Sequence, residues 1–403
     1  MKKIPKFISG FILIGLVLNI FLPVQSLAAA KKVKRAKTPF YYAGWFPFWK
    51  KQSGSQDISL NLEKFHEISP FSYEVKPDGT LVDILKITEG FWPVWLSAVR
   101  DMKIKIIPTI AWFDGPAIHA LLSDKEKRLD HEDTIAKLVK DNKFDGIDID
   151  YEAKLAETNS YFSLFIKGLA IRLHPLGKTL SCTIEPRTSL SSKYIKLPDS
   201  SEIAYANDYK VLNKYCDEVR ILAYDQGLID IKLNSQKGNG ELYAPVADPD
   251  WVKKILKETL KSISPKKIML GVPTYGYEYE VAWASSLTTY KRLRSHTFFQ
   301  AMNRADSVGV APSRNSAGEL SFIYATSTAV DNISPNLTWT ASSTLPSTLA
   351  STTLNNGVTR FVSFSDAESA KQKIALAKKF GLHGVVFFKW DGDQDPLLWE
   401  AMK

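Results

Sequence analysis

The chain is poor in cysteine: Cys182 and Cys216 are the only two among 403 residues. So few thiols exclude a disulfide-dense scaffold, a cysteine-built zinc site and a thiol nucleophile with its base. They leave open whether the two pair, as an exported chain allows, or stay as buried thiols. Charge of one sign is also scarce in the body of the chain. The formal net charge is +9, yet Lys2, Lys3, Lys6, Lys31, Lys32, Lys34, Arg35 and Lys37 all lie near the start, and no acid precedes Asp57. Discounting these eight leaves +1. A nearly neutral body gives no electrostatic case for nucleic acid as a partner. One long apolar run is present, from Phe7 to Val24, after a basic start and before the small residues Ser26, Ala28, Ala29 and Ala30. It predicts a signal peptide over 1–30 or, because the run approaches a membrane span, an uncleaved anchor. Residues 31–38 read as a basic tether. Either way the rest of the chain is expected outside the cytoplasmic membrane, secreted or held at the cell envelope.

What the chain does hold is an ordinary globular body, 45% apolar and 24% charged. Its length admits one large barrel with an insertion, or two domains. The informative stretch is Lys143-Phe144-Asp145-Gly146-Ile147-Asp148-Ile149-Asp150-Tyr151-Glu152. Side chains alternate along a strand, so Asp148, Asp150 and Glu152 share one face, opposite Ile147, Ile149 and Tyr151. Carboxylates stacked in an apolar setting push their pKa values apart, so that one can hold a proton near neutral pH beside a charged partner. A solvated acidic edge strand and a Mg²⁺ or Ca²⁺ site are the plainer readings. Apolar flanks suited to burial argue against the first, and the lack of a second ligand cluster against the second.

Around this strand the pattern alternates. Strands are predicted over 40–45, 68–75, 104–111, 143–152, 179–185, 218–224, 267–274 and 384–390. Helices are predicted over 94–102, 131–141, 159–173, 201–215, 249–263 and 366–380. Eight strands separated mostly by helices predict an α/β fold, a closed (β/α)8 TIM barrel with chemistry at the carboxyl ends of its strands. Glu152 ends the fourth. The rhythm breaks between Tyr275 and Arg360, where the run Asn336-Leu337-Thr338-Trp339-Thr340-Ala341-Ser342-Ser343-Thr344 is rich in hydroxyls. Such composition suits an exposed hairpin or loop.

Asp145-Gly146-Ile147-Asp148-Ile149-Asp150-Tyr151-Glu152 resembles the Asp-Gly-x-Asp-x-Asp-x-Glu signature of family 18 glycoside hydrolases, with all four acids in place. Arg220-Ile221-Leu222-Ala223-Tyr224-Asp225 resembles that family's Met-x-Tyr-Asp motif, with Leu222 for Met. Gly271-Val272-Pro273-Thr274-Tyr275-Gly276 resembles its Gly-x-Pro-x-Tyr-Gly pattern, and Val385-Val386-Phe387-Phe388-Lys389-Trp390 its eighth strand. The resemblance runs from about Phe40 onward. It implies a catalytic barrel over 39–403, with a small α+β insertion over 279–360 between strands seven and eight. It also implies a retaining β-N-acetylglucosaminidase acting on peptidoglycan or chitin-type glycans, an exception to the two-carboxylate scheme. Glu152 would be the general acid, Asp150 would hold the substrate's acetamido N–H, Asp148 would tune Asp150, and Tyr224 would hold the acetamido carbonyl. Asp225, Trp390, Tyr73, Gln226 and Tyr275 would bind substrate, with Trp390 as the floor of the sugar pocket. No metal or cofactor is implied, and a monomer is expected. A chitinase, an endoglycosidase of N-glycans and a non-catalytic sugar-binding protein are the rivals. The family's third strand commonly ends in Ser-x-Gly-Gly, where this chain has Thr109-Ile110-Ala111-Trp112, so close approach of sugar to backbone is not expected there. Segments such as Phe71-Ser72-Tyr73-Glu74-Val75 and Ala244-Pro245-Val246-Ala247-Asp248 are more similar to the bacterial spore-germination branch. No LysM wall-binding repeat accompanies them.

Overall fold

Runs of β-branched and aromatic residues, each ended by a polar or glycine-bearing turn, form the strands of a closed sheet. In the computed structural model, which describes residues 39–50, 54, 57–199, 203–238, 241–284, 287–326, 338–341 and 358–402, eight strands build it. They are β1 (Tyr41–Phe46), β2 (Glu67–Val75), β3 (Thr109–Trp112), β4 (Gly146–Tyr151), β5 (Thr179–Ile184), β6 (Glu218–Ile221), β7 (Ile268–Pro273) and β8 (Gly384–Phe388). Each pairs in parallel with its sequence neighbour, and β1 pairs with both β2 and β8, which closes the ring. This is the (β/α)8 barrel. The expected N-terminal signal or anchor and the basic tether lie outside the described residues. Among the described residues, no helix is long and apolar enough to cross a membrane.

Helices between the strands start where a short acid can accept from free backbone N–H groups. Asp124 caps Lys125–Asp141, Asp248 caps Pro249–Thr259 and Asp366 caps Ala367–Lys379. One predicted helix shrinks. Of the described residues in 201–215, only Tyr209–Tyr215 is helical, because Asp208 accepts from the Lys210 and Val211 N–H groups and sets the start there. Helices Gly115–Ser123 and Ile231–Lys237, capped by Asp114 and Asp230, were not foreseen in the periodicity.

Cys182 of β5 and Cys216 at the end of Tyr209–Tyr215 form a disulfide, which resolves the open question about the thiols. Between β7 and β8 the chain builds a second, six-stranded antiparallel sheet. Its central strands are Leu320–Thr326, Val358–Phe364, Tyr275–Ala284 and Leu287–Thr297, joined by the helix Phe298–Ser307. Of the hydroxyl-rich run, only the backbone strand Thr338–Ala341 falls within the described residues.

Candidate active site

The alternation of β4 sorts its side chains as the pleat requires. Tyr151 points outward, where its hydroxyl meets His131 Nε2 at 2.6 Å and its ring stacks on Phe165. The acids point inward and rise in layers towards the carboxyl end. Asp148, lowest, is saturated with donors. Trp45 Nε1 (3.1 Å) and Thr109 Oγ1 (2.9 Å) donate to Oδ2, and Ser181 Oγ and Thr183 Oγ1 (2.8 Å each) donate to Oδ1. Arg220 Nη1 lies 3.2 Å away. These donors come from β1, β3, β5 and β6, so the carboxyl is fixed from all round the barrel.

Asp150 is different. It is buried at the wall of a cavity of about 500 Å³, and its Oδ1 has no protein partner. A buried acceptor left unpaired is costly unless a ligand is meant to satisfy it. Burial, then the charges of Glu152 and Asp148, push its pKa well above the usual carboxylate range. Glu152 sits above it in the same cavity. Burial, then Glu185 and Asp225, raise its carboxyl to about 7, partly offset by Lys154. A carboxyl poised near neutrality can donate a proton and take it back.

Tyr224 and Asp225 reach the cavity from the loop after β6. The Tyr224 ring stacks on Phe388, with centroids 5.5 Å apart. Its hydroxyl pKa is raised by burial and by the charges of Asp150 and Glu152. Asp225 adopts a left-handed φ of 60°. It accepts from the Tyr275 hydroxyl and from Tyr277 Oη at 2.8 Å, yet burial still raises its pKa. Asp225, Trp49 and Phe388 also border an adjoining cavity of about 400 Å³, lined by Tyr275, Tyr277 and His296. Among the described residues, no group of three or more His, Cys, Asp or Glu could hold a metal ion.

The profile of glycosyl hydrolases family 18 matches residues 73–393. The chain belongs to glycosyl hydrolases family 18. A curated relative, the cortical fragment-lytic enzyme of Bacillus anthracis, is 24% identical over 334 residues, covering 79% of this chain and 63% of its own length. The chain spans between 46% and 63% of the length of the curated relatives it matches. Among solved structures, the spore cortex-lytic enzyme SleL of Bacillus cereus is similar with a TM-score of 0.65 at 20% identity, over 91% of this chain and 74% of that one. The chitinase of Chromobacterium violaceum ATCC 12472 gives 0.66 at 18% identity, over 90% and 98%. At these identities the structural likeness establishes the fold alone.

Within this family 18 barrel, Asp150, Glu152, Tyr224 and Asp225 line one cavity, Asp148 lies beneath Asp150, and Tyr275 lines the adjoining cavity. Three expected substrate-binding residues do not join them. Trp390 is fully buried, stacked on Trp399 at 4.2 Å and packed against Phe65, so it presents no face to the cavity. Phe388, two residues earlier at the end of the last strand, lines the cavity instead. Tyr73 packs outward beside Phe144. The pairing of β2 with β3 shifts register between Phe71 and Tyr73, and this extra residue turns Phe71 and Glu74 to the cavity instead. Gln226 is buried, with Nε2 donating to Tyr243 Oη (3.1 Å) and Oε1 accepting from the Asp248 N–H (2.8 Å), so its amide has no reach to a ligand. Glu185, Trp49 and Phe113, which no motif in the sequence singles out, also line the cavity. Glu185 carried a usable signal, since it is an acid directly after a barrel strand.

Proposed function

We propose that the protein is a retaining glycoside hydrolase cleaving β-1,4 bonds at N-acetylglucosamine in peptidoglycan or chitin-type glycans, with the substrate's acetamide as nucleophile. The observation that carries this reading is the unpartnered Oδ1 of Asp150, set between the saturated carboxyl of Asp148 and the proton-poised Glu152. Glu152 gives its proton to the leaving glycosidic oxygen while the acetamido carbonyl oxygen attacks the anomeric carbon. Asp150 accepts from the acetamido N–H and offsets the positive charge on the ring that forms. Tyr224 donates to the carbonyl oxygen and holds it in line. Glu152, now ionised, takes a proton from water as that water opens the ring, which returns the enzyme to its starting state. Phe388, Trp49 and Phe113 offer aromatic faces to sugar rings. The two adjoining cavities favour a chain that runs through the site, hence internal cleavage.

A relative named for cortex lysis makes a bacterial cell-wall glycan the first polymer to test. The Cys182–Cys216 disulfide supports a place outside the cytoplasm, where such bonds persist. Glu152→Gln should lower hydrolysis of N-acetylglucosamine oligomers by at least ~10²-fold while binding is kept. Retained turnover would remove the assignment. Mass spectrometry of products from purified peptidoglycan and from chitin oligomers identifies the polymer and the mode of cleavage.

A further inference from the structure

Glu185 follows β5 directly and lines the same cavity as Glu152. Its carboxyl is tethered to the turn that carries Glu152. Oε1 accepts from the Ala153 N–H at 3.1 Å, and Lys154 Nζ lies 3.5 Å from both oxygens. Oε2 accepts from Asn207 Nδ2 at 2.8 Å. Asn207 is itself held: its main-chain carbonyl oxygen accepts from Arg187 Nη2 at 2.9 Å, and the Arg187 guanidinium lies over the Tyr205 and Tyr209 rings.

The turn needs such a tether. Ala153, immediately after Glu152, holds a left-handed φ of 54°, which a side-chain-bearing residue keeps only when its surroundings impose it. On the other side Gly115 approaches so closely that a Cβ there would lie 2.1 Å from the Ala153 carbonyl oxygen. The turn is thus gripped between a glycine and a carboxylate.

We infer that Glu185 is a positioning residue for the general acid: it pins the Glu152–Lys154 turn through the Ala153 N–H and sets a negative charge beside Glu152 that keeps the acid's proton in place. This rests on the reading of Glu152 as the proton donor. The charged and titratable groups facing Glu152 are Asp150 on β4, Lys154 on the turn, Glu185 after β5, and Tyr224 and Asp225 after β6, with Glu74 on the same cavity wall. Lys154 is the one cation among them. Its side chain is fully buried, donates to the Tyr151 carbonyl oxygen and faces Glu185. Glu185 therefore has two roles with opposite consequences when its charge is removed. The tether survives in an amide, whose oxygen still accepts, whereas the electrostatic hold on the proton does not.

The test is the pH profile of kcat/KM on an N-acetylglucosamine oligomer for wild type, Glu185→Gln, Lys154→Gln and Glu152→Gln. The wild-type rate falls as pH rises through the pKa of Glu152. In Glu185→Gln this alkaline limb should move towards acid by about one pH unit, with the rate on the acid plateau kept within a few-fold. In Lys154→Gln, which removes the offsetting cation, it should move the other way. If Glu185→Gln folds and its limb does not move towards acid, the inference is overturned, including where the rate falls equally at every pH, as a purely structural role would give. If Glu185→Gln does not fold, Lys154→Gln decides, and a limb that fails to move towards alkali overturns it. Full activity in Glu152→Gln would instead remove the assignment of the acid, so the two failures are distinct.

Discussion

At the scale of the residue, burying Glu152 costs the protein stability at neutral pH. Glu152 has a folded-state pKa of about 7 against an ordinary 4.5. The folded state therefore keeps a proton that the unfolded chain releases between those values. The contribution of Glu152 to stability is full below about pH 4.5, falls as pH rises to about 7, and is level above. Glu152→Gln has no proton to lose. Its advantage over wild type in urea unfolding should grow across that window to about 2–3 kcal/mol. An advantage independent of pH would show that Glu152 is not strained by burial. Phe388, at the end of β8, and Trp390, two residues beyond it, make a second contrast. Trp390→Ala should cost about 3–5 kcal/mol of stability by emptying the space against Phe65 and Trp399. Phe388→Ala should leave stability closer to wild type and lower kcat/KM by about 10- to 100-fold, the loss of about 1–3 kcal/mol of stacking. Steady-state kinetics beside denaturation curves separates the two.

At the scale of the element, small irregularities decide which side chains reach the cavity. Strict alternation along β2 would put Tyr73 on the same face as Phe71. The extra residue in its pairing with β3 hands that place to Glu74. Strand existence was legible in the sequence, but this shift was not, since it depends on how a neighbouring strand pairs. Two helix starts are legible in the sequence, at Asp248 and Asp366, whereas the acid caps Asp114, Asp208 and Asp230 mark starts that the apolar periodicity does not show. The disulfide joins β5 to the end of the helix Tyr209–Tyr215 and closes a loop with a sequence separation of 34. Cys216→Ser should lower unfolding stability by about 3–4 kcal/mol, as expected for a loop of that length, with little change in the turnover of the folded protein. Melting curves of the variant and of reduced wild type should then coincide.

At the scale of the whole molecule, a buried cation braces the barrel interior. Arg220 on β6 pairs with Glu67 on β2, donates to Ser69 Oγ at 2.8 Å, and reaches Asp148 on β4 at 3.2 Å. Glu67 faces Glu218 as well, and burial and that second carboxyl raise its pKa well above normal, against the lowering effect of Arg220. Removing the cation leaves Glu67 and Asp148 without their charged partner. Arg220→Met should therefore destabilise by about 3–5 kcal/mol and reduce activity through Asp148, measured by denaturation and turnover on the same sample. A variant as stable as wild type would mean that the apolar stem alone supports the barrel.

The sequence by itself determined the alternation of strands and helices, the layered acids of β4 and the family they mark. Each of these depends on residues a few positions apart in one chain, where pleat and periodicity act directly. Tertiary structure alone decided that Phe388 and not Trp390 faces the cavity, that Gln226 is spent on Tyr243 and Asp248, that the two cysteines meet, and that Glu185 bears on Glu152. Those outcomes depend on the distance between separate strands and on which contacts fill a side chain's reach first. A single chain read in order does not contain these distances until the ring of strands has closed.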